Sequence, residues 1–260
     1  MVLSFGAERF FNRLLNMSER LQKLIASAGY GSRRWAERLI EQGRVSLNNH
    51  DVKLGDKAEL NDKVRIDGRL IDLKRYAETE TKVLILNKQA GFICSNKDTE
   101  GRKSVFDLLP ENTRWIMVGR LDLNTSGLLL FTNNGELANK LMHPSAQIDR
   151  EYAVRVLGKV KEEHIKKLIN GVELEDGFAK FHKVTQGGGE GANRWYRVVI
   201  REGRKREVKR LWEFFNFKVS RLIRIRFGDI RLPDKLRSNQ FEYLKPSQVQ
   251  VLLKSVNLKN

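Results

Sequence analysis

The sequence predicts an α+β fold in two parts: a small basic unit, then a larger domain with a mostly antiparallel mixed sheet. Three observations lead there. Apolar residues between Leu21 and Ile40 recur at helical spacing, whereas those from Val83 onward fall mainly in short strand-like runs. The stretch Lys74 to Lys82 between them is charged and holds no large apolar side chain except Tyr76. In the second part, strands and helices are mixed without regular alternation, which argues against a doubly wound parallel sheet.

The elements follow in order. Residues 1–17 read as a tail. Leu21, Leu24, Ile25 and Ala28 lie at i, i+3, i+4 and i+7, one face of a helix. Ser18 is its expected N-cap, and Gly29 and Gly31 its stop. Ser32 is placed to cap a second helix that buries Trp35, Ala36, Leu39 and Ile40, closed by Gly43. Arg44 to Leu47 reads as a short strand, Asn48–Asn49 as a turn, and Val64 to Ile66 as another strand before Asp67–Gly68. A first domain over 18–75 and a linker at 76–82 follow.

A second domain, 83–245, opens with a buried strand at Val83–Leu86. Further strands are expected at Trp115–Val118, Leu128–Phe131, Tyr152–Val156, Tyr196–Ile200 and Leu222–Arg226. Helices are expected at Glu136–Met142, Lys161–Ile169 and Arg206–Phe215. Asn133–Gly135, Gly187–Gly191 and Gly228–Asp229 mark turns between them. Residues 246–260 read as a C-terminal tail or a terminal helix.

Composition narrows the function. The chain has 260 residues, 40% of them hydrophobic, so a packed core is expected. No apolar run approaches the roughly 18 residues a membrane helix needs. The single cysteine, Cys94, allows no internal disulfide and fits a reducing, cytoplasmic compartment. His50, His143, His164 and His182 fall in no metal-ligand spacing, and no Walker string is present. Lys and Arg number 49 against 32 Asp and Glu, a net charge of +17. The excess gathers in the first 75 residues and between Arg201 and Arg231, as a polyanion footprint would.

Four strings carry chemistry. Ser32-Arg33-Arg34 sets two cations at a helix start, against the helix dipole unless an anion binds there. Arg120 and Asp122 lie two apart beside an apolar strand, and an extended backbone would put both on one face. Taken alone, such an aspartate is a turn or cap residue. Tyr152, within Arg150-Glu151-Tyr152-Ala153-Val154, alternates as ordinary core would. Glu202 to Trp212 reads as a basic amphipathic helix, with Val208, Leu211 and Trp212 inward.

Leu21 to Gly68, taken whole, resembles the small RNA-binding domain first seen in ribosomal protein S-four. Gly119-Arg120-Leu121-Asp122-Leu123-Asn124-Thr125-Ser126-Gly127-Leu128-Leu129-Leu130 matches the central motif of the pseudouridine synthases, in the RsuA/RluB-type branch. Thr99 to Arg102, Leu137-Ala138-Asn139 with His143-Pro144, Gly187 to Gly191 and Val219 to Ile230 resemble the RluB-type enzymes of large-subunit ribosomal RNA. The resemblance runs over residues 18–245. Two departures stand out: Lys88-Gln89-Ala90-Gly91 replaces the family's Lys-Pro-x-Gly, and Asn134 stands where Asp is common.

The resemblance implies a catalytic domain with a central cleft. It implies that Asp122 is the catalytic residue, Lys209 its basic partner, and Tyr152 the ring that packs on the target base. Arg120 would take the vacated space or hold the phosphate. Ser32, Arg33, Arg34, Arg38 and Arg44, with Arg204, Arg206 and Arg210, would hold RNA. The expected partner is ribosomal RNA, most of all that of the large subunit, bound by a monomer with no cofactor, metal or membrane. A small-subunit target and a non-catalytic RNA-binding assembly protein are the alternatives.

Overall fold

The computed structural model describes residues 18–74, 80–95, 98, 100–111, 113–189 and 191–258. The expected tail 1–17, linker residues 76–79, Thr99 and Glu190 lie outside the described residues. The chain divides into two compact units between Glu80 and Thr81. Lys82, expected in the linker, is built into the second unit. Its amide donates to Asn133 Oδ1 at 2.8 Å, and its carbonyl accepts from Thr132 Oγ1 at 2.8 Å.

In the first unit, β1 (Glu19–Arg20) precedes α1 (Leu21–Ser27) and α2 (Arg33–Glu41). Short strands follow: β2 (Val45–Leu47), β3 (His50–Asp51), β4 (Lys57–Ala58), β5 (Val64–Ile66) and β6 (Arg69–Ile71). Ser18 does not cap α1. Residues 19 and 20 pair instead with β4, and the Leu21 amide donates to the Asp56 carbonyl at 2.9 Å. A tertiary partner thus satisfies a helix-start donor that sequence alone assigns to a local cap. Ser32 does cap α2, accepting from the Trp35 amide at 3.1 Å. Four of the strands form a sheet in the order β3-β2-β5-β6. Leu21, Ile25, Ala36, Ile40 and Val64 form its core.

The second unit runs β7 (Val83–Lys88), β8 (Ile116–Val118), β9 (Ser126–Thr132), α3 (Gly135–Met142), β10 (Arg150–Leu157) and α4 (Glu162–Asn170). Then come β11 (Val172–Leu174), β12 (Gly177–Ala179), β13 (Lys183–Gln186), β14 (Asn193–Ile200) and α5 (Glu207–Glu213). The last elements are β15 (Lys218–Phe227), β16 (Ile230–Arg231), β17 (Phe241–Tyr243) and α6 (Pro246–Ser255). The large sheet has the order β13-β14-β10-β15-β9-β7-β17, with β8 on β9 and β16 on β15. Among the described residues its one parallel ladder is β15–β9, so the expected mixed, largely antiparallel sheet is found.

Both faces of β7 and β9 are covered, which explains their unbroken apolar sequences. Leu84, Leu86, Leu129 and Phe131 join one cluster with Val154, Leu211 and Trp212. Val83, Ile85, Leu128 and Leu130 join the other. Of the two readings of 246–260, a tail or a terminal helix, α6 is the second, and it packs into that cluster. Val249, Leu252, Leu253 and Val256 are buried in it. Burying each such side chain contributes roughly 1.5–3 kcal/mol, enough to hold a short helix in place. At the parallel ladder, Gly127 (φ +101°) lies so close to β15 that a Cβ would sit 2.3 Å from the Arg224 carbonyl oxygen.

Candidate active site

Asp122 lies in the loop between β8 and β9, at the start of a turn. The Thr125 amide turns back onto the Asp122 carbonyl at 3.0 Å. Arg120 is exposed and Asp122 half-buried, with the buried Leu121 between them. The loop is held from below by Lys88, which is fully buried at the end of β7. Its ammonium lies 3.1, 3.2, 3.3 and 2.8 Å from the carbonyls of Gln89, Asp122, Leu123 and Thr125. Three N–H groups serve four acceptors, so one is shared. The Gly91 amide adds a bond to the Leu123 carbonyl at 2.8 Å, and the Leu121 amide donates to Cys94 Sγ at 3.4 Å.

Burial pushes the Lys88 ammonium below the usual lysine range. Cys94 and Asp122 nearby oppose that, and Lys209 adds to it. Asp122 and Lys209 therefore share the surroundings of one buried cation. No direct ion pair joins them among the described residues, so the expected contact between aspartate and lysine is not formed. Lys209 is itself only 8% exposed, on α5, whose Val208, Leu211 and Trp212 face inward as expected. Burial also raises the Cys94 thiol, which leaves it a neutral support of the loop rather than a nucleophile.

Tyr152 stands on β10, directly across from Arg224 on β15. Its ring belongs to the cluster of Val154, Leu222 and Trp212. Arg224 is 2% exposed, and its Nε donates to the Leu128 carbonyl at 2.7 Å. Its Nη2 is buried without a partner, as is Thr125 Oγ1. Arg150, one turn of the pleat from Tyr152, donates from Nη1 to the carbonyls of Ile148, Arg201 and Glu202 at 3.3, 2.7 and 3.1 Å. It thereby fixes the loop that leads into α5. Lys88, Arg150 and Arg224 are the residues that sequence reasoning missed as supports. Their one local signal is a cation within an otherwise apolar or alternating strand.

The arginines expected to hold RNA divide. Arg33, Arg34 and Arg38 are exposed on α2, opposite buried Ala36, Leu39 and Ile40. Ser32 spends its hydroxyl on the helix cap. Arg44 forms a fork with Asp67 at 2.7 and 2.6 Å. Arg210 pairs with both carboxylate oxygens of Asp176 at 2.8 Å. Arg204 reaches Asp176 at 3.1 Å and the Phe178 carbonyl at 2.7 Å, and Arg206 pairs with Glu213 at 2.7 Å. Arg204, Arg206 and Arg210 are thus each in an ion pair. Carboxylates brought near by the fold already occupy them. Among the described residues, no group of three or more His, Cys, Asp and Glu is placed to hold a metal ion. No helix is long and apolar enough to cross a membrane.

The chain is similar to known proteins. The family model of RNA pseudouridylate synthases matches residues 82–213, which include Asp122, Tyr152 and Lys209. A protein of Yersinia pestis, the ribosomal large subunit pseudouridine synthase B, is 54% identical over 224 residues, 85% of this chain and 70% of the relative. The chain belongs to the RNA pseudouridylate synthase family. It is an isomerase with an S4 domain, matched at residues 19–64, ahead of the synthase domain. The synthase of the same name from Escherichia coli K12 is 52% identical over 246 residues, 93% of this chain and 84% of the relative. A crystal structure of a pseudouridylate synthase superposes with a TM-score of 0.63 at 26% identity, covering 90% of this chain and 99% of the other. The synthase fold accounts for the mixed sheet, and the S4 match for the first unit.

Proposed function

We propose that this synthase isomerises a uridine of large-subunit ribosomal RNA, with Asp122 as the catalytic residue. The observation that carries the reading is the Asp122 loop, clamped at its carbonyls by a buried ammonium while its carboxylate stays half-exposed. Rigid support beneath and access above are what a group acting on a bound substrate needs. The names of its relatives support the large subunit as target.

In the reaction the N1–C1′ glycosidic bond breaks, the base turns, and C5 bonds to C1′ of the same ribose. The C5 proton leaves to solvent and N1 takes one up, so the product is an isomer of the substrate. No electrons, water or phosphate are consumed, so the balance calls for no cofactor. One carboxylate acts at the sugar. Lys88 holds its backbone, and the buried Lys209 adds positive charge to the same surroundings without pairing with it. The target base must leave its stack, which costs a few kcal/mol. Tyr152 repays part of that by stacking, worth roughly 1–3 kcal/mol per base. Arg120, exposed at the loop, takes the vacated space or the phosphate. Arg33, Arg34 and Arg38 hold phosphates, which positions RNA without reading it. The protein acts as a monomer in the cytoplasm, where ribosomal RNA is made.

Asp122→Asn is expected to abolish tritium release from C5-labelled large-subunit RNA, with RNA affinity changed by no more than a few-fold. Turnover near wild type ends the assignment. Mapping carbodiimide-resistant uridines in both ribosomal RNAs of a strain lacking the protein distinguishes a large-subunit from a small-subunit target.

A further inference from the structure

We propose that the outer face of the half-sheet β13–β14–β10–β15 is a second RNA-binding surface. It takes the sugar–phosphate backbone of a ribosomal RNA segment separate from the nucleotide that reaches Asp122. The inference rests on the ribosomal RNA reading above.

Strand alternation defines this face. Tyr152, Val154, Val156, Tyr196, Val198 and Leu222 point into the core. Their neighbours point the other way: Arg155, Arg197, Arg221, Lys218, Lys183 and Trp195. None of these six belongs to any apolar cluster. Helices α3 and α6 cover the same side of the sheet, but over β7, β9 and the end of β15, where they bury Ile85, Leu130 and Phe227. Beyond that point no helix covers the described residues.

The charge on the open face is one-sided. Arg197, Arg221, Lys218 and Lys183 are exposed, and none of them is ion-paired among the described residues. Arg155 is partly exposed and bonds only to the neutral Ser220 hydroxyl, at 2.9 Å. Glu151 is the single acid in the four strands, and it is spent on Arg226 at 2.7 Å. The register sets Arg155 directly opposite Arg221 on one side and Trp195 on the other. Like charges directly across a sheet destabilise it, and an anion laid between them reverses the sign. The arginines of α5 stand in contrast, each neutralised by a carboxylate. Trp195, set among the cations, offers a ring on which an unpaired base stacks. Cations with an interleaved aromatic on an open sheet face suit a phosphodiester chain better than an acidic protein, which would call for no stacking ring.

The test uses the full chain and two RNAs. One is a hairpin just long enough to carry the target uridine; the other is the surrounding domain of large-subunit RNA. The variant is Arg155→Glu/Arg197→Glu/Arg221→Glu. The wild type is expected to bind the longer RNA more tightly. The variant is expected to lose at least about tenfold on the longer RNA, with a salt slope shallower by about 2–3. Its turnover of the hairpin stays at the wild-type value. Unchanged affinity and slope on the longer RNA overturn the proposal. So does an equal loss on both RNAs by a variant with the wild-type melting temperature. If the triple variant melts early, Arg155→Gln/Arg221→Gln replaces it, with an expected slope change of about 2 and the same overturning result. Failure of the wild type to isomerise either RNA overturns the ribosomal reading itself, whatever the affinities.

Discussion

Lys88 holds a charge where water does not reach, and the carbonyls of Asp122, Leu123 and Thr125 are its solvation. The trade is unequal on its two sides. Removing the ammonium relieves a desolvation cost, but it also takes from the Thr125 carbonyl its donor and from the Asp122 and Leu123 carbonyls their second one, at about 1–3 kcal/mol for an orphaned buried group. The second effect falls on the loop that carries Asp122. Lys88→Met is therefore expected to lower kcat at least about tenfold, equivalent to about 1.4 kcal/mol, because the carboxylate is no longer held in place. RNA affinity should stay within about twofold, since Lys88 faces carbonyls and not solvent. Single-turnover tritium release and filter binding separate the two. Equal kcat in the variant would show that the loop needs no anchor. In the sequence, Lys88 is visible only as the first residue of a motif with a missing proline. That it points inward is visible only in the fold.

At the scale of elements, α5 and the loop before it are held to the β11–β12 hairpin by one arginine from each. Arg210 and Arg204 both grip Asp176, which lies in the turn between those strands. The hydrogen bond from Arg210 holds the Asp176 carboxyl below its usual value of 3.8, against a smaller opposing effect of desolvation. A carboxyl with a lowered folded value stabilises above the unfolded value and loses that contribution as pH falls through the folded one. The clamp is thus complete above pH 3.8 and is lost only below it. Amide exchange at Gly177–Ala179 is expected to quicken in that acid range. Asp176→Asn should quicken it already at neutral pH and lower kcat, because α5 also carries Lys209. Exchange in the variant that matches wild type at neutral pH would show that the clamp holds nothing. The basic character of 204–210 is legible from the sequence. Its pairing is not, because Asp176 lies 34 residues before Arg210.

At the scale of the molecule, two units carry separate charge excesses. The first presents Arg33, Arg34 and Arg38 on one exposed helix face; the second holds the site. Removing residues 1–80 is expected to weaken ribosomal RNA binding and flatten its salt dependence by about 0.7–0.9 for each phosphate no longer neutralised. Turnover at saturating RNA should persist, since the second unit has its own two cores. A slope identical to that of the full chain would remove the first unit from RNA binding.

By itself the sequence determined the α+β class, the positions of the main strands and helices, the Ser32 cap and the string around Asp122. These rest on local period, turn chemistry and a contiguous motif, all written along the chain. Only the tertiary structure decided what depends on distant partners. Asp56 replaces Ser18 at the start of α1. Asp176 takes up the arginines of α5, and Lys88 turns beneath the loop. The physical reason is the same throughout: a buried charge or an orphan donor takes whichever partner the fold brings within hydrogen-bond reach, and separation along the chain does not enter that choice.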